Sequence, residues 1–393
     1  MKLSDVCYKI TDGSHNPPKG IEHSEYLMLS SKNIYDDCIT FTEPRYLSEE
    51  EFLSENRRTN IAANDLLITI VGTVGRVAIV PEEFPNVCLQ RSVAVLKLDN
   101  DKADSRFMMY QLQNMKSFFE TEAHGVAQKG LYLKQLESVM ISCPSLETQH
   151  KIASNLDKVT HTIDLCNAIL EKLDLLVKSR FVEMFGEPID NPMGWKVKTL
   201  KELTTLITNG NTPKGGSENY VESGITFLRS QNVWRNRIDL SDVAYIDEET
   251  HLKMKKSIVN HKDILITKTG RINTENSSLG RAALYLGEDG SANINGHVYL
   301  VRLNSSVVPE YVVTILTGEA YRKYIRKVCV GGIDKRQINL DQVEDFPIIM
   351  PPKEQQQQFA DFSNQIDKSK SAVKQVLEKA ETLKKALMQE YFG

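Results

Sequence analysis

The sequence has few of the residues that build metal centres or disulfide frameworks. Its 393 residues include six cysteines, which stand singly with no C-x-x-C pair, and eight histidines, which form no cluster. Zinc ribbons need such residues in pairs at short spacing. The pattern excludes a zinc ribbon and is typical of reduced thiols in a cytosol, so we expect a cytoplasmic location.

Long hydrophobic runs and an excess of one charge are also missing. No apolar stretch approaches the roughly 20 residues that cross a bilayer, and the start, MKLSDVCYKITDGSH, lacks the basic and apolar segments of a signal peptide. We therefore expect no membrane partner. The net charge of −4 argues against a uniformly basic nucleic-acid binder. It does not exclude local basic patches, because screening confines each field to about 10 Å.

Motifs of the common enzyme classes are absent or incomplete. The sequence has no G-x-S-x-G or H-E-x-x-H motif, and neither GNTPKGG nor GTVGR has the spacing of a nucleotide phosphate loop. NPPK at 16–19 is similar to an amino-methyltransferase motif, but Lys19 occupies its aromatic position. DILITK at 263–268 has the Asp and Lys of a magnesium nuclease without a second carboxylate beside the lysine. These motifs therefore predict none of the chemistries named, and no cluster of metal ligands predicts a metal site.

The sequence does contain an internal repeat. Seven segments of the first half match seven segments of the second half in the same order, which indicates a duplication. The second copy carries an insertion that includes RINTENSS. The matched pairs are 3–13 with 200–210, 29–34 with 228–233, 64–72 with 262–270, 74–80 with 279–285, 89–99 with 294–304, 144–149 with 351–356, and the stretches from there to FG at 185–186 and 392–393.

Each copy reads as a globule followed by a long helix. Short runs of Val, Ile and Leu bounded by Gly, Pro and Asn predict strands. Proline followed by Glu then predicts a helix start, and apolar residues at alternating spacings of three and four predict a coiled-coil seam. The predicted domains are a first globule at 1–146, a first helix at 147–186, a second globule at 187–350 and a second helix at 351–393. Each FG is predicted to close one such unit.

The order of the segments limits how the two helices pair. A parallel pair would require the chain to travel roughly 55 Å back before the second helix begins. An antiparallel pair needs no such connection and relates the copies by a pseudo-two-fold axis. The predicted fold class is therefore α+β, with two similar α/β domains separated by two long antiparallel coiled-coil helices. The alternative is that each helix lies on its own globule.

Polar loops recur at equivalent places in both copies and suit duplex DNA, which is long and has local two-fold symmetry. Any one of these loops could equally be an ordinary turn. The candidate DNA-binding residues of the first copy are Ser14, His15, Lys19, Lys32, Asn33, Thr73, Arg76, Gln90, Arg91, Gln128 and Lys129. Those of the second copy are Asn211, Thr212, Lys214, Arg229, Gln231, Asn232, Trp234, Arg235, Arg271, Arg281, Lys335 and Arg336.

Some of these side chains are expected to read base edges, since Asn and Gln pair with adenine and Arg with guanine. Trp234 either stacks on the sugar-phosphate wall or caps the core of its globule. A basic stretch at 321–337 carries six Lys and Arg against one Asp, which also favours DNA. The expected base readers are Asn33, Arg76, Gln90, Gln128, Gln231, Asn232, Arg271, Arg281 and Lys335.

The duplicated order of motifs resembles the specificity subunit of type I restriction–modification systems. The order is a polar Gly loop, S-x-N-[IV], D-[IL]-L-I-T-x-x-G, GR, a basic Gly loop and P-x-x-E-x-Q before a long helix, all of it twice. The resemblance covers essentially the whole chain. It implies that each globule is a target-recognition domain that reads one half of a split DNA sequence, with the helices as spacers.

The resemblance also implies partners. Two adenine-N6 methyltransferase subunits and a motor-nuclease restriction subunit would join this chain, which would itself carry no catalytic residue and no cofactor. S-adenosylmethionine is expected in the partner methyltransferase. Docking is expected along the charged helix faces and near Phe185 and Phe392.

A scaffold of a different class remains as the alternative: a non-catalytic coiled coil that presents two protein-binding domains. Such a scaffold would not need Arg, Lys, Asn and Gln in equivalent loops of both copies. Affinity for duplex DNA that falls with salt separates the two, because phosphate contacts release counterions.

Overall fold

The chain folds into two compact units that do not follow its linear order. The computed structural model describes residues 1–123, 130–213, 215–272, 274, 276–332 and 334–393. The first unit combines Met1–Ala168 with Lys374–Gly393, and the second is Ile169–Val373. Each unit therefore contains one globule together with part of each long helix.

The first globule is built on a four-stranded antiparallel sheet in the order β1-β9-β6-β7. A second layer pairs β2 with β5 and β8, and β3 with β4 forms a hairpin. The strands are β1 Cys7–Asp12, β2 Tyr26–Leu29, β3 Ile34–Tyr35, β4 Cys38–Ile39, β5 Arg45–Leu47, β6 Leu66–Thr69, β7 Val77–Ile79, β8 Val87–Leu89 and β9 Val93–Leu98. The helices are α1 Glu49–Thr59, α2 Ser105–Asn114, α3 Lys116–Glu122, α4 Leu133–Glu137 and the long α5 Leu146–Phe185.

The second globule repeats this topology. Its main sheet has the order β11-β21-β17-β19, and a second sheet has the order β15-β12-β20-β16. The strands are β10 Val197–Thr199, β11 Thr204–Asn209, β12 Ile225–Leu228, β13 Val233–Trp234, β14 Arg237–Ile238, β15 Ala244–Ile246, β16 Ile258–Val259, β17 Ile264–Thr267, β18 Thr269–Gly270, β19 Ala282–Leu284, β20 Ala292–Ile294, β21 Val298–Leu303, β22 Val330–Gly331, β23 Arg336–Gln337 and β24 Pro347–Ile349. The helices are α6 Glu248–Lys253, α7 Pro309–Thr317, α8 Glu319–Val328, α9 Leu340–Glu344 and the long α10 Lys353–Phe392.

The two main sheets carry an ion pair at one equivalent position. Every residue of β6 and β9 is buried, as is every residue of β17, which accounts for their near-continuous apolar runs. Lys97 bonds Asp65 in the first copy, where both side chains are buried, and the partly exposed Arg302 bonds the buried Asp263 at 2.7 Å in the second. A buried carboxylate is tolerated only with a partner, and each copy supplies one.

A buried glutamine anchors the start of each long helix and explains the P-x-x-E-x-Q motif. The Gln149 side chain accepts from the Asp104 N–H at 2.9 Å and donates to the Pro144 carbonyl at 2.8 Å. Gln356 accepts from the Val308 N–H at 3.0 Å and donates to the Pro351 carbonyl at 2.9 Å. Each glutamine thereby ties the helix start to the loop before α2 or α7.

The long helices run antiparallel where their segments meet within a unit. In the first unit Asn155 near the start of α5 donates to the Tyr391 hydroxyl near the end of α10 at 3.2 Å. In the second unit Asp174 pairs with Lys370, while Phe185 further along α5 lies 5.8 Å from Phe359 near the start of α10. The predicted fold class, with two similar domains and an antiparallel helix pair, is confirmed.

Each FG segment ends a long helix, and its phenylalanine packs against an aromatic residue of a globule. The Phe185 ring lies 5.0 Å from Tyr311 of α7, in the second globule, and the Phe392 ring lies 5.3 Å from Phe107 of α2, in the first. Phe107 and Tyr311 occupy equivalent positions in the repeat. Each helix therefore ends on the globule of the other copy, as the predicted antiparallel pair implies.

Phe185, one of the two residues near which partner docking is expected, lies in the core of the second globule. Phe185 is fully buried, because Gly186 turns the chain in a left-handed conformation with φ of 75° and its N–H bonds the Val182 carbonyl at 2.9 Å. A side chain at Gly186 would meet Pro192 at 2.8 Å. Phe185 consequently stabilises the core and offers no surface to a partner.

Candidate nucleic-acid interface

The two globules carry clefts at equivalent positions, beside the turn that leaves β6 or β17. The cleft of the first copy has a volume of about 430 Å³ and that of the second about 550 Å³. The first is lined by Gly72, Thr73, Val74, Arg76, Lys116, Glu120 and Ala123. The second is lined by Thr269, Gly270, Arg271, Thr274, Asn276, Ser277, Ser278, Arg281, Asp334 and Lys335. Both clefts thus combine a glycine-containing turn with cationic side chains.

One threonine closes the turn in each copy. The Thr69 hydroxyl donates to the Thr73 carbonyl and accepts from the Arg76 N–H at 3.0 Å. In the second copy the Thr267 hydroxyl donates to the Ser278 carbonyl and accepts from the Arg281 N–H at 2.9 Å. The same pair of threonine hydrogen bonds closes a short turn in the first copy and the longer insertion in the second. The insertion therefore lengthens the loop without changing the hydrogen bonds at its ends.

An arginine stacked on an aromatic ring supports each turn. Arg76 lies over Tyr35 at 4.7 Å, and Arg281 lies over Trp234 at 3.9 Å. Such stacking is favourable because the ring face attracts the guanidinium charge. Tyr35 was missed by the sequence analysis, although its alignment with Trp234 in SKNIY and SQNVW was a usable signal. Trp234 is half-buried and also lies 5.6 Å from the exposed Arg237, so its ring stands between two guanidinium groups.

The expectation that Arg281 reads a base is corrected. Its side chain is buried, and it donates to the Ser277 carbonyl at 3.0 Å and to the Asn276 carbonyl. Burial lowers the pKa of the guanidinium, and the charge of Arg235 adds to this effect. The guanidinium N–H groups of Arg281 therefore stabilise the conformation of the insertion and are not directed at a ligand.

The two asparagines expected to read bases are also turn residues. Asn33 accepts from the Ser30 N–H at 3.1 Å and donates to the Thr42 carbonyl at 2.9 Å. Asn232, its equivalent, accepts from the Arg229 N–H at 2.9 Å and donates to the Asp239 carbonyl at 2.9 Å. Both are buried. Their amides are occupied by the backbone, which corrects the expectation that they are base readers.

Close contact between two strands brings another pair of loops together in each copy. A side-chain carbon at Gly13 would lie 2.1 Å from the Leu89 carbonyl oxygen, and one at Gly210 would lie 2.0 Å from that of Ile294. Only glycine fits there. This contact places Ser14, which is buried, beside Gln90.

The remaining candidate DNA-binding residues differ in how exposed their side chains are. Arg336 donates to the Gly332 carbonyl at 3.1 Å and Gln231 donates to Asp242 at 2.6 Å, so both support local structure. The candidates that are exposed are His15, Lys19, Lys32, Thr73, Arg91, Asn211, Thr212, Gln231, Arg235, Arg271 and Lys335, and those that are half-buried are Arg76, Gln90, Arg229, Trp234 and Arg336. Gln128, Lys129 and Lys214 lie outside the described residues.

The second cleft stands beside a more basic surface than the first. In the second globule β18, β23 and β22 form a small sheet, and α8 before it exposes Lys323 and Lys327. In the first globule the equivalent helix, α3, exposes Glu120 and carries the half-buried Glu122. We therefore expect the second copy to attract a polyanion more strongly.

Neither a metal site nor a membrane span is found in the part of the chain that the structure describes. None of its groups of His, Cys, Asp and Glu has the three members needed to hold a metal ion. None of its helices is long and apolar enough to cross a bilayer.

Comparison with known proteins places the chain in a family. A family model described as "Type I restriction modification DNA specificity domain" matches residues 2–175 and 192–382. The chain belongs to this family. The two matched regions correspond to the two copies of the repeat, so the resemblance inferred from the duplicated motifs is confirmed.

Curated specificity subunits are similar over parts of their length. The putative MjaX specificity subunit of Methanocaldococcus jannaschii is 24% identical over 202 residues, covering 51% of this chain and 46% of that protein. The EcoBI specificity subunit of Escherichia coli is 29% identical over 156 residues, covering 39% of this chain and 31% of that protein. The match thus spans less than half of either relative. The MjaVIII specificity subunit of M. jannaschii is 22% identical over 313 residues, covering 76% of this chain and 72% of that protein.

Solved structures agree in fold over the whole chain. The type I restriction–modification S subunit from M. genitalium superposes with a TM-score of 0.63 at 15% identity, covering 100% of this chain and 95% of that one. A structure described as the basis of complex assembly and conformational transition of the type I R-M system superposes with a TM-score of 0.54, also at 15% identity, covering 100% and 96%. At this identity the likeness establishes the fold alone.

Proposed function

We propose that this specificity-family chain reads a bipartite duplex DNA target, one half-site per globule, for a type I restriction–modification complex. The observation that carries the proposal is the pair of equivalent clefts, each closed by the same threonine bond and each lined by cationic side chains. A DNA with two half-sites is the ligand that suits a duplicated surface.

In this proposal the chain recognises DNA and carries no catalytic residue. Lys and Arg at the clefts bond phosphates and set the register, while exposed polar side chains contact base edges. Arg271 and Lys335 are the exposed cations of the second cleft. Of the expected base readers of the first copy, Arg76 and Gln90 are half-buried and Asn33 is buried. The exposed candidates of that copy are His15, Lys19, Lys32, Thr73 and Arg91.

The chemistry is assigned to partners. Two adenine-N6 methyltransferase subunits dock on this chain, bind S-adenosylmethionine and take the target adenine out of the duplex. A motor-nuclease restriction subunit joins them to cut DNA. Recognition and catalysis can then sit on separate chains.

Co-expression with the methyltransferase subunit of the same system tests the proposal. We expect N6-methyladenine, mapped across the host genome, at one split motif and only when both chains are made. The purified chain should bind duplex DNA with an affinity that falls steeply with salt. A folded, partner-bound chain that gives no methylation motif and no salt-dependent DNA binding would favour the protein scaffold instead.

A further inference from the structure

An exposed apolar patch lies on the first globule, in a cleft that shares no lining residue with the candidate DNA interface. This cleft has a volume of about 670 Å³ and is formed by the β3–β4 hairpin, the end of β7, the loop before α2 and the start of α5. Its floor includes Phe41, which is 42% exposed, and Phe84, whose ring lies 5.9 Å from that of Phe41. Ile39 and Ile79 line the cleft beside them.

The second globule carries apolar residues at the equivalent positions. Phe41 corresponds to Leu240 and Pro81 to Leu286, and these leucines are 57% and 68% exposed. Leu240 follows β14 and Leu286 follows β19, and the two strands contact each other as β4 and β7 do in the first copy. Single exposed apolar residues are ordinary on a protein surface. Their recurrence at the same place in two diverged copies indicates a shared use.

The charges of the Phe41–Phe84 cleft disfavour phosphate binding. Asp37, Glu83 and Asp104 line it. Of the basic side chains in its lining, Arg106 already bonds Asp37 at 2.8 Å and Asp157, and His150 lies 3.6 Å from Asp104. Carboxylates around an apolar floor repel a DNA backbone. They complement apolar side chains flanked by Lys or Arg.

The second patch also has acidic neighbours, one of them paired, since Asp239 lies 3.4 Å from the exposed Arg237. Glu288 and Asp289 follow Leu286 and are exposed, and Asp239 precedes Leu240. A partner surface that fits the first patch therefore meets similar chemistry at the second. Two identical copies of one protein can occupy them.

We propose that the Phe41–Phe84 patch and the Leu240–Leu286 patch each dock one copy of the same protein subunit, through an apolar segment flanked by basic residues. This inference rests on the proposed function, which supplies the partner: the adenine methyltransferase subunit, present twice. Exposed apolar surface of this kind, rimmed by polar groups, is typical of protein interaction sites.

Charge placed in each patch tests the inference on the full chain. Phe41→Glu and Leu240→Glu are compared with Leu53→Glu on α1 and Leu252→Glu on α6, which are equivalent control positions, 59% and 50% exposed. The readout is the number of purified methyltransferase subunits bound, counted by native mass spectrometry, with duplex DNA affinity measured in parallel. All four sites are exposed, so the variants are expected to fold.

We expect each patch variant to retain one bound subunit, the double patch variant to retain none, and both controls to retain two. At the altered patch the affinity should fall about 30-fold or more, as for an interface hot spot. DNA affinity of the free chain should be unchanged.

Two bound subunits on the double patch variant would overturn the inference while leaving the proposed function intact. Equal losses in the controls, or lost DNA affinity in the patch variants, would also overturn it. Loss of self-association in place of subunit binding would reassign the patches to a second copy of this chain. An unmodified chain that binds neither DNA nor the subunit would instead defeat the proposed function, and the inference with it.

Discussion

At the residue scale, the sequence predicted where the contact loops lie better than which side chains in them are available. Asn33, Asn232 and Arg281 sit in polar glycine-containing loops, as contact residues do, but all three are buried and bonded to backbone carbonyls. Asparagine in a loop suits a turn and a base edge equally well. Only the fold separates these uses, because burial depends on residues distant in sequence.

Arg281→Ala is expected to weaken the second half-site as a whole. The change removes two bonds to the insertion and the stack on Trp234, and we expect a loss of about 2 kcal/mol in the free energy of unfolding. Arg271→Ala is the matched control, because Arg271 is exposed in the same cleft and should lower DNA affinity without lowering stability. Urea unfolding and methylation mapping check both. If Arg281→Ala relaxed recognition at one base alone and left the free energy of unfolding unchanged, Arg281 would be a base reader after all.

At the scale of elements, the strands and long helices could be predicted because each has a regular local pattern. The long helices begin at Leu146 and Lys353 and end at Phe185 and Phe392, within two residues of the positions that proline and the FG segments indicate. The packing of each FG end on the globule of the other copy follows from the antiparallel pair, but the aromatic residues that receive it, Phe107 and Tyr311, have no local sequence signal.

The buried glutamine at the start of each long helix should be essential for its attachment. Gln356→Ala leaves the Val308 N–H and the Pro351 carbonyl without their bonds, at a cost of about 2–3 kcal/mol in the free energy of unfolding. The adjacent Gln357→Ala is the control, since Gln357 is exposed and donates only to the Asp361 side chain among the bonds described. Its cost should stay within about 0.5 kcal/mol. Equal effects in chemical denaturation would refute the role of Gln356.

The basic face of α8 is expected to strengthen DNA binding without adding sequence specificity. Changing Lys323 and Lys327 to Ala should reduce the slope of log affinity against log salt by about two and leave the methylated motif unchanged. The exposed Lys255 and Lys256, also in the second globule, provide the control pair. Titrations over a range of salt concentrations measure the slope. An altered motif, or an equal effect of the control pair, would contradict the assignment to phosphates.

At the scale of the whole molecule, each unit is completed by both long helices. The first unit ends within α5 at Ala168 and resumes within α10 at Lys374, so the chain passes from one unit to the other twice, both times through helix. The helices pair within each unit through residues far apart along them, such as Asn155 with Tyr391 and Asp174 with Lys370. A change of length in one helix alone would therefore shift its terminal FG against the globule that receives it.

This arrangement gives a specific prediction for the spacer between the two half-sites. Seven residues inserted in both helices, after Ala168 and after Val373, keep both seams in register and lengthen each helix by about 10 Å. The DNA spacer between the two half-sites should then be about three base pairs longer than for the unaltered chain, at 3.4 Å each. Both half-sites should be unchanged in the methylation map. Insertion in α5 alone is the control, and it should lower stability because Phe185 loses its place beside Tyr311 and Phe359. A spacer that stays constant in a stable double-insertion chain would mean that the helices do not set the distance between half-sites.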